Sequence, residues 1–391
     1  MLTLIENGEV FSPKAVGKAS VLLAGAKILK IGSVDRENAK RLDEELVVID
    51  AAGCCVAPGL IDPHQHLLGG SGESGFSSQT PELSAGEIAK AGITTVVGCL
   101  GVDTTMKTMP GLLGKVKGLE EEELSAYMWT GGYNVPPTTI TGSVRNDIMF
   151  IKEIVGVGEV AISDERSTDP TIQELARLSN DAYVGGMLGK KAGVTHFHVG
   201  ERDTRLQLVK KLMDDFKPPP DTIYATHIQR SEKLLEEAVE LAERGCTVDI
   251  DMVDKDLEKQ LALYIKKGGN LDQLTISSDS SITGPSNVFD QIRECILKHK
   301  RPIAQMLALA TSNTARVLKL ESKGRLEEGL SADVLIAENR TLEIREVISR
   351  GRRLVIDGKL AFTETFLKDS SRTIILEGEK AEKEKTTGMK A

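Results

Sequence analysis

Eight short apolar runs, separated by stretches of helical period, limit the folds open to this 391-residue chain. The runs are "CVAPGLIDPH", "GITTVVGCLG" (92–101), "AYMWTGGY" (126–133), "EVAISD" (159–164), "VTHFHVG" (194–200), "TIYATHI" (222–228), "CTVDIDM" (246–252) and "LTISSDS" (274–280). Between them lie segments such as "SEKLLEEAVELAERG" (231–245), where Leu234, Leu235, Ala238 and Leu241 share one helical face. Eight strand–helix repeats over about 250 residues are what a (β/α)8 TIM-type barrel requires. A doubly wound open sheet is the competing arrangement.

Both termini have a different texture. Residues 1–55 carry short β-like runs between Gly, Asn and Ser, and "GRLEEGLSADVLIAENRTLEIREVISRGRRLVIDGK" (324–359) returns to that rhythm. The expected α/β organisation is therefore a barrel over 56–315 and a small β-sandwich domain built from both ends, 1–55 and 316–376. The charged tail 377–391, of low complexity, is expected to be disordered.

Charge and aromatic content narrow the partners. A net charge of −9 with only 4% aromatic residues speaks against nucleic acid or an anionic membrane surface. "MLTLIENGEVFSP" has no basic segment leading into an apolar core, so no signal peptide is expected, and no run approaches the roughly 18 apolar residues of a membrane span. Five cysteines, two of them adjacent (Cys54 and Cys55), make no disulfide framework and fit a reducing cytoplasm.

Chemistry concentrates where the runs end. Residues i and i+2 of a strand face the same way, so His64 and His66 can chelate one ion. Two satisfied core histidines are the alternative. His198 and His227 end later runs and Asp279 closes the last. In a parallel barrel all these ends meet on one face, and imidazole with carboxylate suits zinc or a similar divalent ion. His196 shares a face with His198 and is either a competing ligand or a packed histidine. His299 fits an exposed helix end. Glu159, entering an apolar strand in "GVGEVAISDERS", needs a partner if buried and is the candidate bridging anion; an exposed strand start is the other possibility.

These residues resemble the amidohydrolase superfamily and, within it, the isoaspartyl (β-aspartyl) dipeptidases. The broad signals are "PGLIDPHQH", one histidine after each of two middle strands, and Asp279. The narrower ones are "GGSGESG", "TPE" (80–82), "AGITTVVGCLG", "TGGYNVPPTTITGS", "AISDERS" and "THIQR". The resemblance covers about residues 5–365. It implies metal-dependent hydrolysis of β-aspartyl dipeptides by a cytoplasmic, homo-oligomeric enzyme. His64 and His66 would hold one zinc, His198 and His227 the other, with a hydroxide and one carboxylate-type ligand between them. Asp279 would bind the first zinc and serve as general base, then acid. Tyr133 would polarise the scissile carbonyl.

The resemblance also implies a substrate set. Glu73 would pair with the free α-ammonium, Arg166 and Arg230 would grip carboxylates, and Ser71, Val102 and Thr283 would complete the contact surface. Relatives commonly carry a carboxylated lysine where this chain has Glu159, a threonine where it has Val102, and a serine where it has Thr283. Another amidohydrolase, acting on cyclic amides or N-acyl amino acids, is the first alternative. A barrel that has lost catalysis is the second.

Overall fold

The computed structural model describes residues 1–254, 256–280 and 283–372. The expected tail 377–391 and the last residues of the small domain, 373–376, lie outside the described residues. Five strands open the chain: β1 (Leu2–Phe11), β2 (Ala15–Ala24), β3 (Lys27–Gly32), β4 (Val47–Asp50) and β5 (Cys54–Pro58). Eight parallel strands follow: β6 (Leu60–Gln65), β7 (Ile93–Gly98), β8 (Ser125–Thr130), β9 (Ile154–Ile162), β10 (Val194–Val199), β11 (Ile223–Thr226), β12 (Thr247–Asp251) and β13 (Leu274–Ser277). They pair in sequence order, and the ring closes through the bridge between Gln65 and Ser280. This is the barrel, not the open sheet.

The barrel strands read as continuous apolar runs because helices cover their outer faces and side chains fill the inside. The helix Glu232–Glu243 turns Leu234, Leu235, Ala238 and Leu241 onto the sheet, with Val239 and Ala242 beside them. Its start is fixed by Ser231, whose hydroxyl accepts from the backbone of Leu234. Inside the barrel, Trp129 stacks on His196 with ring centres 4.9 Å apart, and Trp129 Nε1 donates to the Pro63 carbonyl at 3.0 Å. That aromatic floor lies directly beneath the strand ends.

The second sheet has nine strands and draws on both termini. The C-terminal part supplies β14 (Val334–Glu338), β15 (Ile344–Ser349), β16 (Arg352–Ile356) and β17 (Lys359–Leu360). The order is β17-β16-β15-β14-β5-β1-β2-β3, with β4 on β1. Antiparallel pairing of β5 with β14 joins the two ends, Val56 opposite Ile336.

Two details differ from the sequence reading. "CVAPGLIDPH" is not one barrel strand but two strands in different sheets, β5 and β6, parted at Gly59. An uninterrupted apolar run hides the change of sheet, and Gly59 is the corner: a Cβ there would lie 2.4 Å from the Thr94 side chain. Glu159 does not open the fourth barrel strand, because β9 begins at Ile154 and Glu159 sits in its second half. Gly156 and Gly158 look like turn punctuation, yet they let neighbours close in. A Cβ on Gly156 would come within 2.3 Å of the Val194 carbonyl, and one on Gly158 within 2.7 Å of His196.

Among the described residues no helix is long and apolar enough to cross a membrane. The five cysteines are buried and unpaired.

Candidate metal centre and substrate pocket

The ends of β6 and β13 are tied together by a buried carboxylate. Asp62 accepts from the backbone of His64 and of Ser278, each at 3.2 Å, and from Gln65 Nε2 at 2.9 Å. His64 and His66 therefore leave the first barrel strand facing Asp279, which follows the last. Asp279 adopts φ 46°, a left-handed conformation that Asp tolerates better than most residues. Its Oδ1 lies 3.1 Å from His66 Nε2 and 3.4 Å from His64 Nε2.

Glu159 sits between two histidine pairs, fully buried. Its Oε1 is 3.3 Å from His64 Nε2 and 3.6 Å from His66 Nε2. Its Oε2 is 3.0 Å from His198 Nδ1 and 3.6 Å from His227 Nε2. One carboxylate thus presents an oxygen to each pair, and the shorter side chain reaches both. Donor atoms around one tetrahedral zinc stand roughly 3.3 Å apart, from bond lengths near 2.05 Å. The spacings here match that.

The protonation pattern also asks for cations. Asp164 Oδ2 lies 2.9 Å from His198 Nε2, and Asp251 Oδ2 lies 2.6 Å from His227 Nδ1. With the outer nitrogens giving their protons to Asp164 and Asp251, each inner nitrogen turns a lone pair toward Glu159, and at His198 the Tyr133 hydroxyl stands 2.8 Å from that lone pair as a donor. Lone pair against lone pair in a buried site is repulsive unless a cation lies between. His64 Nδ1, His64 Nε2, His227 Nε2 and Glu159 Oε1 are buried with no hydrogen-bond partner. Burial resists protonation of His64 and His66, yet Glu159 at the first, and Cys99 with Asp279 at the second, push both well above the usual imidazole range. Burial would raise the Glu159 carboxyl, but the charge of His64 and the imidazoles of His198 and His227 beside it hold it well below normal. A divalent pair fits this donor set.

Beside the cluster opens a cavity of about 380 Å³, walled partly by His66, His198 and Asp279. Ser71, Glu73, Val102, Tyr133, Arg166, Arg230 and Thr283 line it as well, so all seven expected substrate residues meet at one place. Tyr133 is almost fully buried, and its hydroxyl stands 2.8 Å from His198 Nδ1. Burial first, then the charge of Glu159, pushes the phenol well above its ordinary pKa, so it stays a proton donor. The Arg166 guanidinium lies over its ring at 5.3 Å. Arg166 Nη1 donates to Glu73 Oε1 at 2.8 Å, which places an anion and a cation side by side in the cavity. Arg230 Nη1 donates to the Val199 carbonyl at 2.9 Å.

His196 lies behind the cluster, sandwiched by Trp129 and Tyr224 with its ring centre 4.6 Å from the tyrosine ring, and edge-on to His64. Burial pushes its pKa well below normal, and it has the packed role rather than a ligand's. His299 is exposed just past the helix Asn287–Leu297. Sequence reasoning passes over Asp164, Asp251 and Cys99. Asp164 holds His198, and Asp251 holds His227 and takes a hydrogen bond from Gln229. The Cys99 thiol is 3.7 Å from His66 Nδ1. One signal was available: Asp249 and Asp251 alternate in the buried strand "TVDID", where unpaired carboxylates are costly.

Residues 55–360 match the model of the amidohydrolase family. The β-aspartyl dipeptidase of the thermophilic, keratin-degrading Fervidobacterium islandicum AW-1 superposes with a TM-score of 0.89 at 39% identity, over 93% of this chain and 100% of that one. The same dipeptidase in complex with the β-Asp-Leu dipeptide gives a TM-score of 0.87 at 37% identity, with the same coverage. A dihydroorotase of Lactobacillus gasseri is 25% identical over 94% of this chain and 97% of its own length.

Proposed function

The chain belongs to the amidohydrolase family, and from that premise we propose that it hydrolyses β-aspartyl dipeptides, using two zinc ions. The observation that carries this reading is the charge pattern of the cavity. Glu73, Arg166 and Arg230 stand beside the histidine–carboxylate cluster. A β-aspartyl dipeptide brings one ammonium and two carboxylates at fixed distances from its scissile amide. An α-aspartyl dipeptide carries the same charges at other spacings.

His64, His66 and Asp279 would hold one ion, His198 and His227 the other, with Glu159 shared. Such ions lower the pKa of water and polarise carbonyl oxygens, which is the chemistry they supply. The chain's own groups do the rest. Burial would raise the Asp279 carboxyl, but His64 and His66 keep it below its ordinary range, so it is an anion ready to take a proton from attacking water. It then passes that proton to the leaving nitrogen. Tyr133 donates its phenolic hydrogen to the carbonyl oxygen as negative charge develops there. Glu73 exchanges Arg166 for the substrate ammonium, and the freed Nη1 of Arg166 and the guanidinium of Arg230 take the carboxylates.

Two accompaniments belong to the proposal. The five unpaired, buried thiols suit a cytoplasmic enzyme. Self-association is supported by exposed Phe150, Met187 and Leu188, which lie where Gly189 packs on Met149. The deciding experiment compares leucine release from β-Asp-Leu and α-Asp-Leu by zinc-loaded protein. Cleavage of the β-linked peptide alone is expected. Equal cleavage of both, or of neither, overturns the reading. The dihydroorotase likeness favours a cyclic-amide substrate as the second reading, and such a ring offers no free ammonium to Glu73.

A further inference from the structure

We propose that Asp164 is a positioning residue that couples substrate grip to the metal centre. One buried carboxylate fixes the guanidinium of Arg166 and the imidazole of His198 in a single arrangement. The substrate half of this inference rests on the dipeptidase reading; the imidazole half rests on the geometry of the cluster alone.

Asp164 follows β9 and is 4% exposed. Its Oδ1 accepts from Arg166 Nε at 2.8 Å and from the Arg166 backbone at 2.8 Å. Its Oδ2 accepts from Arg166 Nη2 at 2.8 Å and lies 2.9 Å from His198 Nε2. The fork engages both carboxylate oxygens, which defines the guanidinium plane as well as its position. The fork leaves Nη1 for the cavity, where it meets Glu73, while Nη2 also lies 3.3 Å from His198 Nε2. On the other side, Asp164 Oδ2 is the nearest group to Nε2, closer than Arg230 Nη1 at 3.2 Å and Arg166 Nη2 at 3.3 Å. The Tyr133 hydroxyl stands 2.8 Å from Nδ1 as a donor, and together they favour the His198 tautomer whose Nδ1 lone pair faces Glu159. Arg230 Nη1 adds a second guanidinium 3.6 Å from Asp164 Oδ2.

The carboxylate is held from behind as firmly as it holds others. Gly200, just past β10, leaves no space: a Cβ there would lie 2.5 Å from both Cα and Cβ of Asp164. Displacing Asp164 therefore moves a carboxylate-binding arginine and a histidine of the cluster together. Asp251 does only half of this. It braces His227 and touches Gln229, but no arginine among the described residues.

The sharp test is Asp164→Asn, which keeps shape and removes the second acceptor. An asparagine that still accepts from Arg166 turns its amide N–H to His198 Nε2, and the imidazole must then place its proton on Nδ1, facing Glu159. Zinc affinity and stoichiometry, read by chelator competition, and KM for β-Asp-Leu at saturating zinc are measured for the wild type, D164N and D251N. Outer hydrogen-bond partners of metal-binding histidines are worth roughly ten- to a hundredfold in affinity. D164N and D251N should each weaken one zinc by that factor with the melting temperature nearly kept. D164N alone should also raise KM, by roughly tenfold for a loosened fork. Wild-type zinc affinity in D164N overturns the hold on His198. An unchanged KM overturns the link to Arg166. If the wild-type enzyme leaves β-Asp-Leu intact, the dipeptidase reading falls by itself. The zinc affinities still judge the imidazole half, and the Arg166 position in a crystal of D164N judges the other.

Discussion

The two histidine pairs that face Glu159 are built differently. His198 and His227 each rest their outer nitrogen on a buried carboxylate, at 2.9 and 2.6 Å. His64 and His66 have no such brace among the described residues. His64 Nδ1 is without a partner, and His66 Nδ1 meets only the Cys99 thiol at 3.7 Å. Packing holds them instead: His196 lies edge-on to His64, and a Cβ on Gly101 would come within 2.6 Å of the His66 ring. The braced pair has its tautomers set by the protein before any ion arrives. The unbraced pair shares its inner side with Asp279, the group proposed to take up and give back a proton. Rigid ligation on one side and exchangeable charge on the other suit a site that both stores an ion and turns over.

The hardest blow to that division is Asp279→Asn. It removes the proposed proton carrier and leaves the Asp164 and Asp251 braces intact. A loss of about a thousandfold in kcat is expected, within the range for general acid–base groups. The braced pair should retain its zinc. Activity within tenfold of wild type would move the proton transfer to another residue and dissolve the contrast.

Partial chelation probes the two halves directly. Because outer hydrogen bonds contribute roughly ten- to a hundredfold in affinity, the unbraced pair should release its ion first, leaving a stable form with one zinc. In Asp251→Ala the two sites should converge and the one-zinc plateau should vanish. Simultaneous loss of both ions from the wild-type protein would show that Glu159 makes the halves one unit.

How much of this could be read from the sequence follows the same divide. His64 and His66 are legible because strand period puts i and i+2 on one side, and His198, His227 and Asp279 because parallel strand ends must converge. The barrel itself was legible from eight spaced runs. Asp164 and Asp251 were not, since a carboxylate near a strand end has many uses and only packing across strands shows which nitrogen it meets. The sequence marks Glu159 as a bridge but misplaces it at the start of its strand, because glycines that admit a neighbour look like glycines that turn the chain. Glu73, Arg166 and Arg230 owe their roles to family resemblance. As isolated residues they are surface charges, and their meeting in one cavity is a tertiary fact.

Glu73 lies on the substrate side of the contrast and should leave the metals untouched. Glu73→Gln removes the charge proposed to meet the substrate ammonium; a hydrogen bond to a charged group is worth about 2 kcal/mol, or roughly thirtyfold. The loss should fall in kcat/KM for β-Asp-Leu, with zinc content unchanged. A wild-type rate on the dipeptide would favour a cyclic or acylated substrate with no ammonium to bind.

The smallest effect is expected at His196, and it tests whether packing alone orients the unbraced pair. Both ring nitrogens of His196 are buried without partners, which is a cost and not a function. Phenylalanine keeps an aromatic ring between Trp129 and Tyr224 and an edge against His64. His196→Phe should therefore be neutral or stabilise the fold by about 1 kcal/mol in a denaturant titration. Zinc content and kcat should stay within about twofold, the scale of a well-tolerated core replacement. Loss of one zinc equivalent would make His196 a ligand after all. Loss of activity with both ions retained would mean that His64 depends on an imidazole behind it, so that the unbraced pair has a brace of its own.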